Sequence, residues 1–180
     1  VSQAITVQDN TPPSITCPIA VTVKCASDVP APDITKVTAS DTCGSVTVTF
    51  VGDVTTPGTC VNKFSITRTY KAKDTCGNEA TCTQIITVND DVAPVIGAAG
   101  ANATINCPDA PVFTPPTATD NCAPAPTVVE VSDVTVNGPC AGTYVRTKTW
   151  KAVDVCGNES GTVSQAITVQ DNTPPSITCP

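Results

Sequence analysis

Histidine and methionine are absent from the 180 residues, and aromatic side chains make up only 3%. Without imidazole there is no His-based catalytic triad, no HExxH zinc helix and no shuttle that titrates near neutrality. No Gly-rich phosphate loop occurs, and no CxxC spacing suggests a zinc or redox site. Positive charge is also scarce. Nine Lys and Arg against sixteen Asp and Glu leave a net charge of −7, which argues against nucleic acid and anionic membrane surfaces as partners. No apolar run reaches the length of a membrane-spanning helix, so the stretch contains no membrane segment of that kind. The acids that remain as chemical candidates lie in turns and linkers rather than in an evident cleft, and the chain reads as non-enzymatic.

What is abundant is threonine, valine and cysteine. The first two suit pleated, half-buried strands, and the composition predicts an all-β protein with a thin hydrophobic core. Eleven cysteines point to an oxidising, extracellular compartment, where disulfides reinforce domains that bury little surface.

The chain is repetitive at two levels. Val1–Pro18 (VSQAITVQDNTPPSITCP) recurs without change at Val163–Pro180, a period of 162 residues. A weaker repeat halves that unit: ITVQDNTPPSI at Ile5 is answered by ITVNDDVAPVI at Ile86, ASDTC at Ala39 by ATDNC at Ala118, and KAKDTCGNEA at Lys71 by KAVDVCGNES at Lys151. The expected organisation is the last strand and linker of a preceding repeat at 1–10, one domain at 11–91, a second at 92–172, and the first strand of a further repeat at 173–180. Short strands between Gly, Pro, Asn and Asp turns at this spacing predict tandem immunoglobulin-like β-sandwiches.

The clearest element is the last hairpin of each domain. Phe64, Ile66, Tyr70 and Ala72 alternate with polar residues, Cys76-Gly77-Asn78-Glu79 supplies the turn, and Cys82, Ile86 and Val88 return on one face, with Gln84 interrupting. Tyr144, Trp150 and Ala152, then Val163, Ile167 and Val169, repeat it. Earlier strands are expected through Ser14–Cys25 and Ile34–Ala39. Tyr70 and Trp150, near Arg68 and Lys148, read as core rings beside snorkelling cations, with no further surface aromatics to build a carbohydrate site. Asn102-Ala-Thr and Asn158-Glu-Ser are formal glycosylation sequons that read as ordinary turn polarity.

Comparing the halves sorts the cysteines. Cys17 and Cys82 are both replaced in the second half, by Ala98 and Val163, which pairs them as Cys17–Cys82. Four more are shared between the halves. If the first strand descends and the hairpin strand climbs, Cys25–Cys60 and Cys43–Cys76 meet, with Cys107–Cys140 and Cys122–Cys156 as counterparts. The opposite sense for the early strand would give Cys25–Cys76 and Cys43–Cys60. Cys179 repeats Cys17 and is expected to pair within the next repeat.

The pattern CP…(S/T)D-x-C…R-x-(Y/W)-K-A-x-D-x-CGN…ITV-x-(D/N)-(D/N)…P resembles the hyalin-repeat-like immunoglobulin modules that occur in tandem in large surface proteins, including gliding-motility adhesins of the Bacteroidota. The resemblance covers both domains. It implies a seven-stranded sandwich, extracellular display and a structural or adhesive role: a filament or adhesin stalk rigidified by disulfides and by the prolines of Thr11-Pro12-Pro13 and Ala93-Pro94. The partners so implied are neighbouring repeats of the same chain and other filament strands. The alternative is a binding module for a surface polysaccharide or host ligand.

The acids suggest one cofactor. With the loops arranged as above, Asp41 and Asp74 share a pole with Asp9 and Asn10 of the incoming linker. At the next junction Asp120 and Asp154 correspond, with Asp90 and Asp91, and Asp171 repeats Asp9. Hard oxygen ligands from two loops and a linker suit Ca²⁺.

Overall fold

Among the described residues, β-branched stretches cut by proline and Asx turns fold into six strands in each half of the chain. The computed structural model describes residues 1–179 and divides into two units, Val1–Asp90 and Asp91–Pro180. In the first unit the strands are β1 (Ser14–Thr16), β2 (Val21–Val23), β3 (Thr38–Ser40), β4 (Val46–Cys60), β5 (Lys63–Asp74) and β6 (Glu79–Asn89). The second repeats them as β7 (Val95–Ile96), β8 (Ala103–Asn106), β9 (Ala118–Thr119), β10 (Thr127–Asn137), β11 (Tyr144–Val153) and β12 (Val163–Gln170). No α-helix occurs among the described residues; two single 3-10 turns cover Ala26–Asp28 and Ile34–Lys36.

Each unit is an immunoglobulin-like sandwich of unequal layers. One layer is a four-stranded sheet, in the order β2-β6-β5-β4 and again β8-β12-β11-β10; the other is a two-stranded pair, β1-β3 and β7-β9. Six strands therefore stand where the family resemblance implies seven. The first expected strand is interrupted at Pro18, which has no N–H for a ladder, so β1 pairs with β3 while β2 runs parallel to β6. The second is shortened because the Asp33 carboxylate accepts the Thr35 N–H and hydroxyl, turning Ile34–Lys36 into a 3-10 turn.

The core follows the alternation of the hairpins. Tyr70, Ala72, Ile86 and Val88 in the first unit, and Trp150, Ala152, Ile167 and Val169 in the second, are all buried. The polar interruptions are buried with them. Gln84 donates to the Ile19 carbonyl at 2.9 Å, and Gln165 donates to the Ala101 carbonyl and accepts the Thr114 N–H, both at 2.9 Å. Each amide ties the large sheet to the loops in front of it, which offsets the cost of burying it.

Cys17 and Cys82 form a disulfide with Cα atoms 5.7 Å apart, joining the end of β1 to β6. Cys25, Cys60, Cys122 and Cys156 are also disulfide-bonded. The expected Cys43–Cys76 and Cys107–Cys140 bridges are not present: all four are thiols, as is Cys179. Local turns hold them otherwise. The Cys43 N–H is bound by Asp41 at 2.7 Å with its sulfur 3.8 Å from the Thr42 hydroxyl, and Cys140 is folded onto Thr143 through both its N–H and its carbonyl. At the four cysteine positions the units share, they are complementary: those bonded in one unit are thiols in its sister.

Removing the buried Ile86 side chain (Ile86→Ala) should cost about 2–5 kcal/mol, whereas Ile85→Ala, on the exposed face of the same strand, should change stability by less than about 0.5 kcal/mol. Urea denaturation followed by circular dichroism checks the difference. Iodoacetamide added to the folded protein should modify the exposed Cys43, Cys76 and Cys140 and spare Cys17 and Cys82, as read by peptide mapping.

Candidate functional site

The D-x-CGN motif is a turn built around a carboxylate. Asp74 Oδ1 accepts the N–H groups of Cys76 and Asn78, and Oδ2 accepts the Asn78 amide, all at 2.8 Å. Gly77 reaches φ +98° to let the chain close around it. Burial works against this carboxylate, but the Asn78 side chain and the N–H groups of Asn78, Gly77 and Cys76 outweigh that and hold its pKa below the ordinary value. Asp154 is bound in the same way by Cys156 and Asn158, with Gly157 at φ +83°. Both acids serve as turn centres, and their oxygens are already engaged, so they fit a cation poorly.

Asp9 and Asp41 are different. With the Cys43 thiol they place ligand atoms within 4.8 Å of one another. One oxygen of each serves its own turn: Asp9 Oδ1 takes the Thr11 N–H at 3.0 Å and Asp41 Oδ1 takes the Cys43 N–H. Asn78 anchors the linker there by donating to the Asp9 carbonyl at 3.2 Å. These hard oxygens suit Ca²⁺, although a soft thiol beside them does not add to such a site. Asn10 is exposed next to them. In the second unit an Asp120 carboxylate oxygen likewise lies within 4.8 Å of the Cys122 sulfur. Asp120 Oδ2 takes the Cys122 N–H and Asp171 Oδ1 the Thr173 N–H; Asp90 is wholly buried, its N–H on the Asn62 carbonyl; Asp91 is exposed.

A second set of charges lies on the inner face of each large sheet, and sequence reasoning missed its acidic half. Arg68 is 3% exposed and donates Nε and Nη2 to Asp53, both at 2.9 Å, and Nη1 to the Pro30 carbonyl at 2.8 Å. Its guanidinium lies 5.9 Å from the Phe50 ring centre, and Phe50 meets Tyr70 edge-on at 6.0 Å. The bidentate bond to Asp53 outweighs desolvation and raises the Arg68 pKa further. In the second unit the cluster is larger and more open. Arg146 binds Asp133, Lys148 reaches both Glu130 at 2.8 Å and Asp133 at 3.4 Å, and both cations lie over the Phe113 ring, which meets Trp150 edge-on at 6.4 Å. Facing positions in the register, Asp53 opposite Arg68 and Asp133 opposite Lys148, are the signal that a strand-pairing argument could have used. The sequons are also occupied: Asn102 accepts the Ala166 N–H and Asn158 donates to Asp154.

Two all-β immunoglobulin-like units, each carrying disulfide-bonded cysteines, define the class of tandem extracellular repeat modules. Residues 6–88 match the family model described as "HYR-like domain with 4 cysteines". The chain is similar to hyalin of Strongylocentrotus purpuratus, with 32% identity over 145 residues that cover 76% of this chain and 12% of hyalin. Among solved structures, it is similar to protocadherin gamma B2 extracellular cadherin domains 1–5 (13% identity, TM-score 0.35, 93% of this chain and 42% of that chain). It is also similar to the EC3–6 segment of protocadherin gammaB7 (12% identity, TM-score 0.33, 90% of this chain and 51% of that chain). The match over residues 6–88 and the disulfides point to an extracellular or cell-surface protein. No helix among the described residues is long and apolar enough to cross a membrane.

The hydrogen bonds from Arg146, more than its charge alone, set the acid behaviour of the second unit. They hold the Asp133 carboxyl at about 2, below its ordinary 3.8. A depressed folded-state pKa stabilises above the unfolded value and is lost as pH falls through the folded one. The second unit should therefore keep this contribution above pH 3.8 and lose it towards about 2. Asp133→Asn should flatten that part of the pH–melting curve without changing the curve of the first unit, as followed by NMR of resolved amides in each unit.

Proposed function

We propose that this chain is a structural repeat of an extracellular filament or surface-adhesin stalk, of the kind found in large bacterial surface proteins, and that it has no catalytic role. The observation that carries this reading is the identity of Val1–Gln8 with β12. In β12 alternate side chains, Gln165, Ile167 and Val169, are buried against the sheet, whereas their copies Gln3, Ile5 and Val7 are exposed. The same strand is thus supplied twice, 162 residues apart, as an array of identical units requires. On this reading the domains run over 11–91 and 92–172, and 1–10 and 173–180 belong to neighbouring repeats. The polar groups support a structural role, because Asp74, Asp154, Arg68, Gln84 and Gln165 are all engaged in holding turns and loops. Electron microscopy of the native material should show fibres with a regular axial repeat; isolated globular particles would overturn the proposal.

Calcium belongs to the same proposal. Asp9 and Asp41 would hold it where the linker meets the loops of the first unit, and the ion would neutralise two converging carboxylates. Asp120, whose Oδ1 is buried without a hydrogen-bond partner, marks the corresponding place in the second unit. Added Ca²⁺ should raise the melting temperature and chelator should reverse it, with the response lost in Asp9→Asn/Asp41→Asn; an unchanged melt, together with no calcium by elemental analysis, would make these acids turn residues only. The second reading, a binding module, is favoured by the open polar face of the second unit.

A further inference from the structure

We propose that the inner face of β10 and β11 is a binding groove for a neutral saccharide, an inference that rests on the second reading above. The groove exists because the layers are unequal. β11 runs for ten residues, while β7 and β9 that face it are two residues each. Trp150 and Ala152 are covered, but Tyr144, Arg146 and Lys148, which alternate onto the same face, remain partly open to solvent. Two adjoining hollows share Arg146. One of about 380 Å³ is lined by residues that include Phe113, Glu130, Lys148 and Trp150, and the other, of about 350 Å³, by Asp133, Thr135 and Tyr144. Together they suit a short oligosaccharide.

The lining decides the ligand class. Two cations, Arg146 and Lys148, face two acids, Glu130 and Asp133, and the four are joined in ion pairs. An anionic or cationic ligand would compete with those pairs for the same charged groups, whereas a neutral ligand rich in hydroxyls can donate to the carboxylates and accept from the guanidinium and ammonium without doing so. Tyr144, Thr135 and Asn137 continue the row of neutral hydrogen-bonding groups, and the Tyr144 ring offers an apolar surface.

The first unit provides an internal comparison. At the corresponding places of the same sheet it carries Phe50 for Glu130, Pro57 for Asn137, Phe64 for Tyr144 and Ile66 for Arg146. The fold accepts apolar residues at all four, so the polar set of the second unit is not a requirement of the sandwich. The expectation that the chain lacks aromatics for a carbohydrate site changes accordingly, since Phe113 and Tyr144 both reach this face.

Trp150 is the single tryptophan and lines the groove, so its fluorescence reports on occupancy. The whole chain should be titrated with cellotriose, maltotriose and triacetylchitotriose as neutral probes, and with polygalacturonate as an anionic one, with calorimetry in parallel. At least one neutral probe should bind saturably. Arg146→Ile and Tyr144→Phe each install the residue the first unit already folds with. The first should weaken binding by about tenfold or more and the second by a smaller factor, both with native circular dichroism. The proposal is overturned if no neutral probe saturates, if only polygalacturonate binds, or if both variants bind as the parent does. Any of these outcomes leaves the filament reading standing, because fibre imaging tests that separately.

Discussion

Each unit depends on one carboxylate wrapped by a turn. Asp74 collects two backbone N–H groups and the Asn78 amide within five residues, and Asp154 does the same with Asn158. The turn fixes the register of the hairpin that follows. With Lys73 opposite Glu79 and Ala72 opposite Ala80, Tyr70, Ile66, Ile86 and Val88 all fall on one face. A slip of one residue would send that entire set to solvent. Because no stretch of the core outside the hairpin is as apolar, the hairpin is the platform on which the short strands are laid.

The core itself is held by polar ties as much as by apolar packing. The two-stranded layers are too short to cover the large sheets, and aromatic residues are few. Gln84, Gln165 and Arg68 compensate by binding loop carbonyls directly across the gap. Buried hydrogen bonds of this kind contribute little net energy but penalise misplacement heavily, since a loop that leaves strands a buried amide or guanidinium. The loops are therefore well placed despite a small apolar core. The same geometry leaves the inner face of β10 and β11 free to carry other chemistry in one unit and not the other.

The all-β class, the final hairpins and their turn were legible from period-two alternation and from the D-x-CGN repeat, because both are local signals. The Gln84 interruption was visible as well, but its role as a tie to the Ile19 carbonyl, repeated by Gln165 on Ala101, shows only in the folded chain. What escaped was set by long-range geometry or by competition for single groups. Pro18 divides an apparently continuous strand, and Asp33 captures Thr35 and turns a stretch that otherwise reads as extended. The sequence does not display that the oxygens of Asp74 and Asp154 are engaged by neighbouring N–H groups, which only the folded turn shows. Phe113 lies in a loop with no periodicity, and only the folded chain brings it beneath Arg146 and Lys148.

The Cys17–Cys82 bond has a consequence for force transmission. It spans 65 residues of the first unit and ties its first strand to its last, the two places where a pull along the chain enters and leaves. Tension is then carried through sulfur, and roughly 220 Å of potential extension, at about 3.4 Å per residue, stays locked inside. The second unit has Ala98 and Val163 at those positions and no such clamp. A loaded chain would yield first by peeling β12 away from β8 and β11. In the array proposed above, clamped and unclamped units would alternate like a row of fuses, every second domain absorbing shock while its neighbour keeps its shape.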